Sequence, residues 1–272
     1  MDFKDFTINL AEKAGKIILK YYKSGFNMEE KSERDFVTDA DKESEKFIID
    51  SIKKTHKTHG FLAEESEFKK ASTLKKLLQS PYIWIIDPLD GTNNFTHGFP
   101  QCTVSIALFK TANTTSTKNF KYLSGEIVLG VVYQPFTKEM FYAEKNGGAF
   151  LNGEKINVSG VSNLGNAMIG LESPIHQFER NMDAYTALTE HCHGIRQIGS
   201  AALNLAYLAS GRTDAFISFG LKPWDIAAGL LLVKEAGGKA SDSNGNLIDL
   251  FGEDILASNN KLHKHILALL NS

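Results

Sequence analysis

The sequence predicts an α/β (α+β) fold. Amphipathic helical stretches open the chain, continuously apolar β-branched runs follow, and the second half alternates strand-like with helix-like segments. In order, Phe3, Phe6, Leu10, Ala14, Ile17 and Tyr21 recur at helical spacing, which predicts a helix over residues 2–23 that Ser24-Gly25 ends. Thr38 followed by Asp41 has the form of a capping box, and Phe47, Ile48 and Ile52 supply the apolar stripe of a second helix. Gly60 to Glu64 is a short apolar run that stops on acid. Tyr82-Ile83-Trp84-Ile85-Ile86 reads as a strand buried on both faces, and Pro88 is expected to end its ladder.

Further strands are expected at 103–109, 126–133 and 139–144, with a hairpin turn at Asn152-Gly153 and a polar surface loop from Thr111 to Lys121. Beyond Asn157, strands at 167–171, 213–218, 238–241 and 255–258 alternate with helices at 177–191, 200–210, 224–236 and 260–270. The two halves, about 1–150 and 151–272, are expected to share one compact unit.

The composition excludes several classes. Of 272 residues, 42% are hydrophobic and 23% charged, as in an ordinary soluble protein with a substantial core. Thirty basic against thirty-two acidic residues leave a formal charge of −2, which predicts no affinity for nucleic acid or an anionic membrane. Cys102 and Cys192 form no CxxC motif and are expected to be thiols in a reducing, cytoplasmic compartment. No apolar run is long enough to cross a bilayer.

The chemistry concentrates in Asp87-Pro88-Leu89-Asp90-Gly91-Thr92. A buried strand delivers Asp87 to its carboxyl end, where open α/β sheets place ligands. Gly91 permits close approach of a ligand, and Thr92-Asn93 offer N–H groups to an anion. Read alone, this run is equally a turn with two solvated aspartates. Glu64 and Glu65 end another apolar run, which is also what a solvated strand end looks like. Asp225, after Pro223-Trp224, opens an apolar helix and also fits an ordinary N-cap. Together, Glu64, Asp87, Asp90 and Asp225 are another matter. Two unit charges at ~4 Å repel by about 4 kcal/mol at an effective dielectric of about 20. A shared cleft therefore needs protons or a cation, and hard oxygen ligands point to Mg²⁺, ahead of Mn²⁺ or Ca²⁺.

The run Trp84-Ile85-Ile86-Asp87-Pro88-Leu89-Asp90-Gly91-Thr92-Asn93-Asn94-Phe95-Thr96-His97-Gly98-Phe99-Pro100 resembles the first signature of the inositol monophosphatase family. Pro223-Trp224-Asp225-Ile226-Ala227-Ala228-Gly229, continued by Glu235-Ala236-Gly237-Gly238, resembles the second. Asp35-Phe36-Val37-Thr38-Asp39-Ala40-Asp41 and Leu62-Ala63-Glu64-Glu65 match two earlier stretches, and Gly220 to Asp225 is most similar to the bacterial branch. The resemblance covers essentially the whole chain. It implies a five-layered αβαβα sandwich of the sugar phosphatase type and a homodimer. The implied metal ligands, for two or three Mg²⁺ ions, are Glu64, Asp87, Asp90, Asp225 and the carbonyl of Leu89. Substrate contacts are implied for Gly91, Thr92, Asn93, Gly199, Ala201 and Ser218, with Gly199 and Ala201 in the loop Gly199-Ser200-Ala201-Ala202. Thr92 paired with Asp41, together with Glu64, would serve the attacking water. Glu65 would stand behind the ligands. Lys31 and Asp35 would complete a weaker metal site from a mobile loop, although solvated loop charges look the same in sequence. His97 and His193 are expected to be structural or surface residues. Inhibition by Li⁺ is a further family expectation.

The implied activity is hydrolysis of a small polyol or sugar phosphate such as inositol 1-phosphate. Alternatives on the same metal core are fructose-1,6-bisphosphatase and 3′(2′),5′-bisphosphate nucleotidase. Asn93-Asn94 stands against the nucleotidase, which carries Lys there. A non-catalytic alternative is a phosphatase-fold protein that binds RNA or a transcription complex. One position departs from the pattern. The family glutamate seven residues before the metal-binding aspartate, which bonds the inositol hydroxyls, is Ser218 here. Losing a charged hydrogen bond costs about 1.5–3 kcal/mol, so a relaxed alcohol preference is expected.

Overall fold

The computed structural model describes residues 2–32, 35–66, 77, 79–112, 125–172, 177–252 and 254–271. The loop expected over 111–121 lies outside the described residues from 113 onward, and Thr111 itself closes a strand.

Helix α1 (Phe3–Ser24) buries Leu10, Ala11, Ala14 and Ile18 and stops at Gly25, whose φ of 87° lies in the left-handed region. An antiparallel hairpin, β1 (Met28–Ser32) and β2 (Asp35–Thr38), leads into helix α2 (Asp39–Thr55). The sequence pattern did not reveal this hairpin, because β1 is exposed along its whole length and carries no apolar alternation. At the start of α2 the predicted capping box is present. The Thr38 hydroxyl accepts from the N–H groups of Ala40 and Asp41, and Asp41 Oδ2 accepts the Thr38 N–H at 2.8 Å.

Both helices cover one face of a seven-stranded sheet ordered β3 to β9. Its strands are β3 (Gly60–Ala63), β4 (Tyr82–Asp90), β5 (Thr103–Thr111), β6 (Gly125–Gln134), β7 (Glu139–Glu144), β8 (Gly148–Leu151) and β9 (Glu154–Ile156). Only β3 and β4 run parallel. Along β4, Trp84 and Ile86 face α1 and α2 while Ile83 and Ile85 face the opposite side, as a strand buried on both faces requires. The β8–β9 turn is the expected Asn152-Gly153, with φ of 50° and 90°.

One expectation is corrected. Pro88 does not end the ladder, because β4 continues to Asp90. Asp87 pairs with Ser105 and Asp90 with Thr103, so three steps on β4 oppose two on β5. The extra residue forms a bulge between Asp87 and Asp90, a stretch that includes Pro88, which has no ladder N–H to lose.

After β4 comes a single-turn helix α3 (Thr92–Thr96). A second, five-stranded sheet has the order β11-β10-β12-β14-β13. It comprises β10 (Met168–Glu172), β11 (Gly194–Arg196), β12 (Ala215–Phe219), β13 (Gly238–Ser241) and β14 (Asp254–Asn259). The three-residue β11 carries too short a pattern to be read from sequence. Its outer face is covered by α4 (Phe178–Thr189) and α7 (His263–Leu270). Helices α5 (Ala201–Ala209) and α6 (Pro223–Glu235) fill the space between the sheets, giving the five-layered αβαβα sandwich. Ile226, Leu231, Leu232 and Val233 of α6 are all at most 3% exposed, each contributing about 2 kcal/mol of apolar burial.

Candidate metal and phosphate site

Because β3 and β4 are parallel, their carboxyl ends reach the same edge. Ala63 pairs with Ile86, so Glu64, just past the end of β3, follows beside Asp87 of β4, and the Glu64 N–H donates to the Ile86 carbonyl at 3.2 Å. Within the bulge, Asp87 Oδ1 accepts the Leu89 N–H at 3.0 Å. Leu89 is fully buried and is among the residues that border the cleft. Asp90 Oδ2 accepts Ser200 Oγ at 2.6 Å and the Ala202 N–H at 2.7 Å, both from the amino end of α5. Asp225 lies in the first turn of α6, where its Oδ2 accepts the Lys222 N–H at 2.7 Å. It is therefore a capping-box partner of the helix start rather than the N-cap itself, and it also borders the cleft.

The cleft has a volume of about 190 Å³ and is bordered by Glu64, Asp87, Asp90 and Asp225 together with Gly91, Thr92, Asn93 and Gly199. Gly91 has φ 97°, and a Cβ there would lie 2.8 Å from the Gln101 carbonyl oxygen and 3.1 Å from that of Gly199. Gly199 has φ 79°, and a Cβ there would lie 2.7 Å from Asn94 Nδ2. Glycine at both positions lets the α3 start and the loop before α5 cross backbone to backbone.

Burial raises the pKa of Asp87 well above the ordinary carboxylate range, and the charges of Glu64, Asp90 and Asp225 add to it. Asp225 is raised for the same reasons, burial first and then Asp90 and Glu64. Burial pushes Asp90 up to about 6 against the opposing hydrogen bonds from Ser200 and Ala202. Burial raises Glu64 as well, although Lys31 counteracts it, and the charge of Glu64 in turn raises Asp87. Such a pair needs a proton or a cation between its members.

Among the described residues, no three His, Cys, Asp or Glu side chains close around a single point as they stand. One positive charge comes instead from Lys31 on β1, whose Nζ lies 2.9 Å from Glu64 Oε1, 3.0 Å from Glu65 Oε1 and 3.6 Å from Asp35 Oδ1. Burial opposes the Lys31 charge, but the two glutamates outweigh it and hold the ammonium protonated. Glu65 is itself pushed up to about 7, by burial first and then by Glu64. Anionic hard-oxygen donors in excess of one ammonium suit a divalent cation such as Mg²⁺, with Glu64, Asp87, Asp90, Asp225 and the Leu89 carbonyl as the groups that would hold it.

The Thr92 hydroxyl lies 2.9 Å from Asp41 Oδ1 and 3.0 Å from the Leu89 carbonyl oxygen. It has one proton for two acceptors, so it can donate to Asp41 while presenting its own lone pairs to a water. Asp41 is fully buried. Burial raises its pKa, and the Thr38 and Thr92 hydrogen bonds pull it back.

Not every expected residue reaches the cleft. Ala201 is 4% exposed and packs into the core between the sheets. Ser218 sits in β12 with no exposure and donates its hydroxyl to the Glu172 carbonyl at 3.2 Å, so it offers nothing to a substrate. The parallel pairing of β10 with β12 places it directly beside Glu172. His97 and His193 are exposed and lie outside the cleft lining, as expected. Phe36 lines the cleft, and Ser200 and Glu45 support it, Glu45 Oε2 accepting the Glu65 N–H at 2.8 Å. These three were missed. Ser200 and Phe36 stood in stretches already singled out, but Glu45 carries no signal apart from its surroundings.

The family model for the inositol monophosphatase family matches residues 2–272. The chain belongs to this family. It is 36% identical over 272 residues to the fructose-1,6-bisphosphatase/inositol-1-monophosphatase of Thermotoga maritima, covering all of this chain and 96% of that protein. It is 37% identical to the Nus factor SuhB of Pseudomonas aeruginosa, covering 98% and 94%. The crystal structure of the extragenic suppressor protein suhB from Bartonella henselae superposes with a TM-score of 0.87 at 34% identity, covering 98% of each chain. Membership of the inositol monophosphatase family supports a phosphatase, and a phosphorylated sugar or polyol is the substrate class that fits the family.

Proposed function

We propose that the chain is a Mg²⁺-dependent phosphomonoesterase that hydrolyses small polyol and sugar phosphates, inositol 1-phosphate among them. The observation that carries this reading is that Glu64, Asp87, Asp90 and Asp225 line one cleft together with the glycine-containing turn Gly91-Thr92-Asn93. Bound Mg²⁺ would acidify a water, aim it at phosphorus and neutralise charge on the leaving oxygen. The protein supplies the rest. Gly91 and Thr92 orient the phosphate through backbone N–H groups. Thr92 and Asp41 align the water and receive its proton. Glu64 presents a further carboxylate to the same water, with Glu65 behind it. Lys31 and Asp35 on the hairpin bring charge to the outer rim and would adjust when a cation enters.

The buried Ser218 supports a broad alcohol preference, since it gives the leaving alcohol no charged partner. Fructose-1,6-bisphosphatase activity is the second reading, favoured by the double name of the Thermotoga maritima relative. A role in a transcription complex, suggested by the name Nus factor SuhB, would be additional to catalysis, because every expected carboxylate ligand is retained. We further infer a homodimer in the cytoplasm, sensitive to Li⁺. Phe178, Met182 and Tyr185 form an exposed apolar stripe along α4 that a second copy would cover. No helix among the described residues is long and apolar enough to cross a membrane.

The test is a Mg²⁺-titrated panel of inositol 1-phosphate, fructose 1,6-bisphosphate and 3′-phosphoadenosine 5′-phosphate, with size-exclusion chromatography for the dimer. Metal-dependent release of phosphate from the first two is expected. No release from any substrate would end the reading, and strong preference for inositol 1-phosphate alone would end the claim of breadth.

A further inference from the structure

Glu172 is a carboxylate that the proposed chemistry does not touch, yet it is 9% exposed at the carboxyl end of β10. Its Oε1 accepts three N–H donors, from Gly199 at 2.7 Å, Ile198 at 3.1 Å and Asn204 Nδ2 at 2.7 Å. Burial pushes its pKa up to about 7 against these three bonds. Burying a carboxylate is costly, and one oxygen gathering two consecutive backbone N–H groups holds that peptide segment in a single position.

The same segment is gripped from the other side. Asn94 Nδ2 donates to the Ile198 carbonyl at 2.7 Å, and the Gly199 carbonyl abuts Gly91. Immediately downstream, Ser200 Oγ and the Ala202 N–H make the two bonds that fix Asp90 Oδ2. The chain of contacts thus runs from the second sheet through Glu172, the Ile198–Ser200 backbone and Ser200 to Asp90.

We propose that Glu172 is a positioning residue that clamps the Ile198–Ser200 backbone so that Ser200 and Ala202 hold one oxygen of Asp90 and leave the other aimed at the cation site. The proposal rests on the metal-dependent reading above. What the clamp requires is an acceptor oxygen at the end of a glutamate-length side chain. Negative charge is secondary. Glu172→Gln keeps length and oxygen, Glu172→Asp keeps charge but falls one methylene short, and Glu172→Ala removes both.

The experiment uses the full chain. Mg²⁺ binding to metal-stripped protein is measured by calorimetry, kcat and KM on inositol 1-phosphate, and thermal stability alongside. Glu172→Ala is expected to weaken Mg²⁺ binding and to lower kcat by about 10-fold each, with KM within about 2-fold. Glu172→Gln is expected to stay within about 3-fold of wild type, and Glu172→Asp to fall between Gln and Ala. Should Glu172→Ala fail to fold, the order Gln above Asp decides. The proposal is overturned if Mg²⁺ affinity and kcat are unchanged in Glu172→Ala while stability drops, or if Asp performs as well as Gln. A wild-type protein that binds no Mg²⁺ overturns the functional reading and the proposal with it. A wild type that binds Mg²⁺ and variants that match it overturn the proposal alone.

Discussion

Asp90→Asn should make the metal-free protein more stable and the enzyme inactive. Asp90 Oδ2 accepts from Ser200 Oγ and from the Ala202 N–H, and a backbone N–H can only donate. The asparagine carbonyl must therefore take that place, which turns its NH₂ group toward the cleft. A donor then replaces an anionic ligand. Without metal, the wild-type carboxylate has a folded pKa of about 6 against 3.8. A raised carboxylate pKa means that stability is fully present below the unfolded value and is lost as pH rises through about 6. At pH 8 the ionised group therefore costs about 3 kcal/mol, which the neutral amide avoids. For a chain of this length that corresponds to roughly 5 °C in melting temperature. Mg²⁺ at about 100 times its dissociation constant returns about 2.7 kcal/mol to the wild type and little to the variant. Differential scanning fluorimetry with EDTA and with Mg²⁺ at pH 8 reads both effects, and kcat should fall by more than about 100-fold. An Asp90→Asn protein that turns over like wild type, or that is no more stable in EDTA, would refute the reasoning.

Thr92→Val keeps the shape but removes the hydroxyl bonded to Asp41, so kcat should fall by about 100-fold with Mg²⁺ affinity nearly unchanged. Steady-state kinetics beside calorimetry checks this, and an unchanged kcat rules out a role for the hydroxyl. Gly91→Ala should cost about 1–3 kcal/mol in urea unfolding and abolish activity, because its Cβ meets the Gln101 carbonyl at a left-handed φ. Wild-type stability would contradict the backbone crossing. His263 lies between Ser241 and Ser258, and burial, then Lys239, lowers its pKa to about 4. Its unfolded state binds a proton first, so stability present above about pH 6.5 is lost as pH falls toward 4, by up to about 3 kcal/mol. Urea unfolding of wild type and His263→Gln at pH 7.5 and 5 should show the gap between them narrowing at the lower pH. A constant gap would show that the ring does not titrate in this window.

Local periodicity made most of the sandwich legible. The α1 stripe, the Thr38–Asp41 capping box, the apolar β4 run and the alternation after Asn157 all depend on neighbours within a few residues. The exposed β1, the three-residue β11 and the continuation of β4 through Pro88 did not show, because long-range pairing decides them. The same division holds at the site. By itself the sequence determined which carboxylates exist and that Asp87-Pro88-Leu89-Asp90-Gly91-Thr92 would sit at a strand end, since composition and turn chemistry are local properties. Tertiary structure alone decided that parallel pairing of β3 with β4 sets Glu64 beside Asp87, and that α6 brings Asp225 to the same edge. It also decided that Ser218 faces Glu172 and not the substrate, because strand neighbours and not sequence spacing determine what a side chain meets.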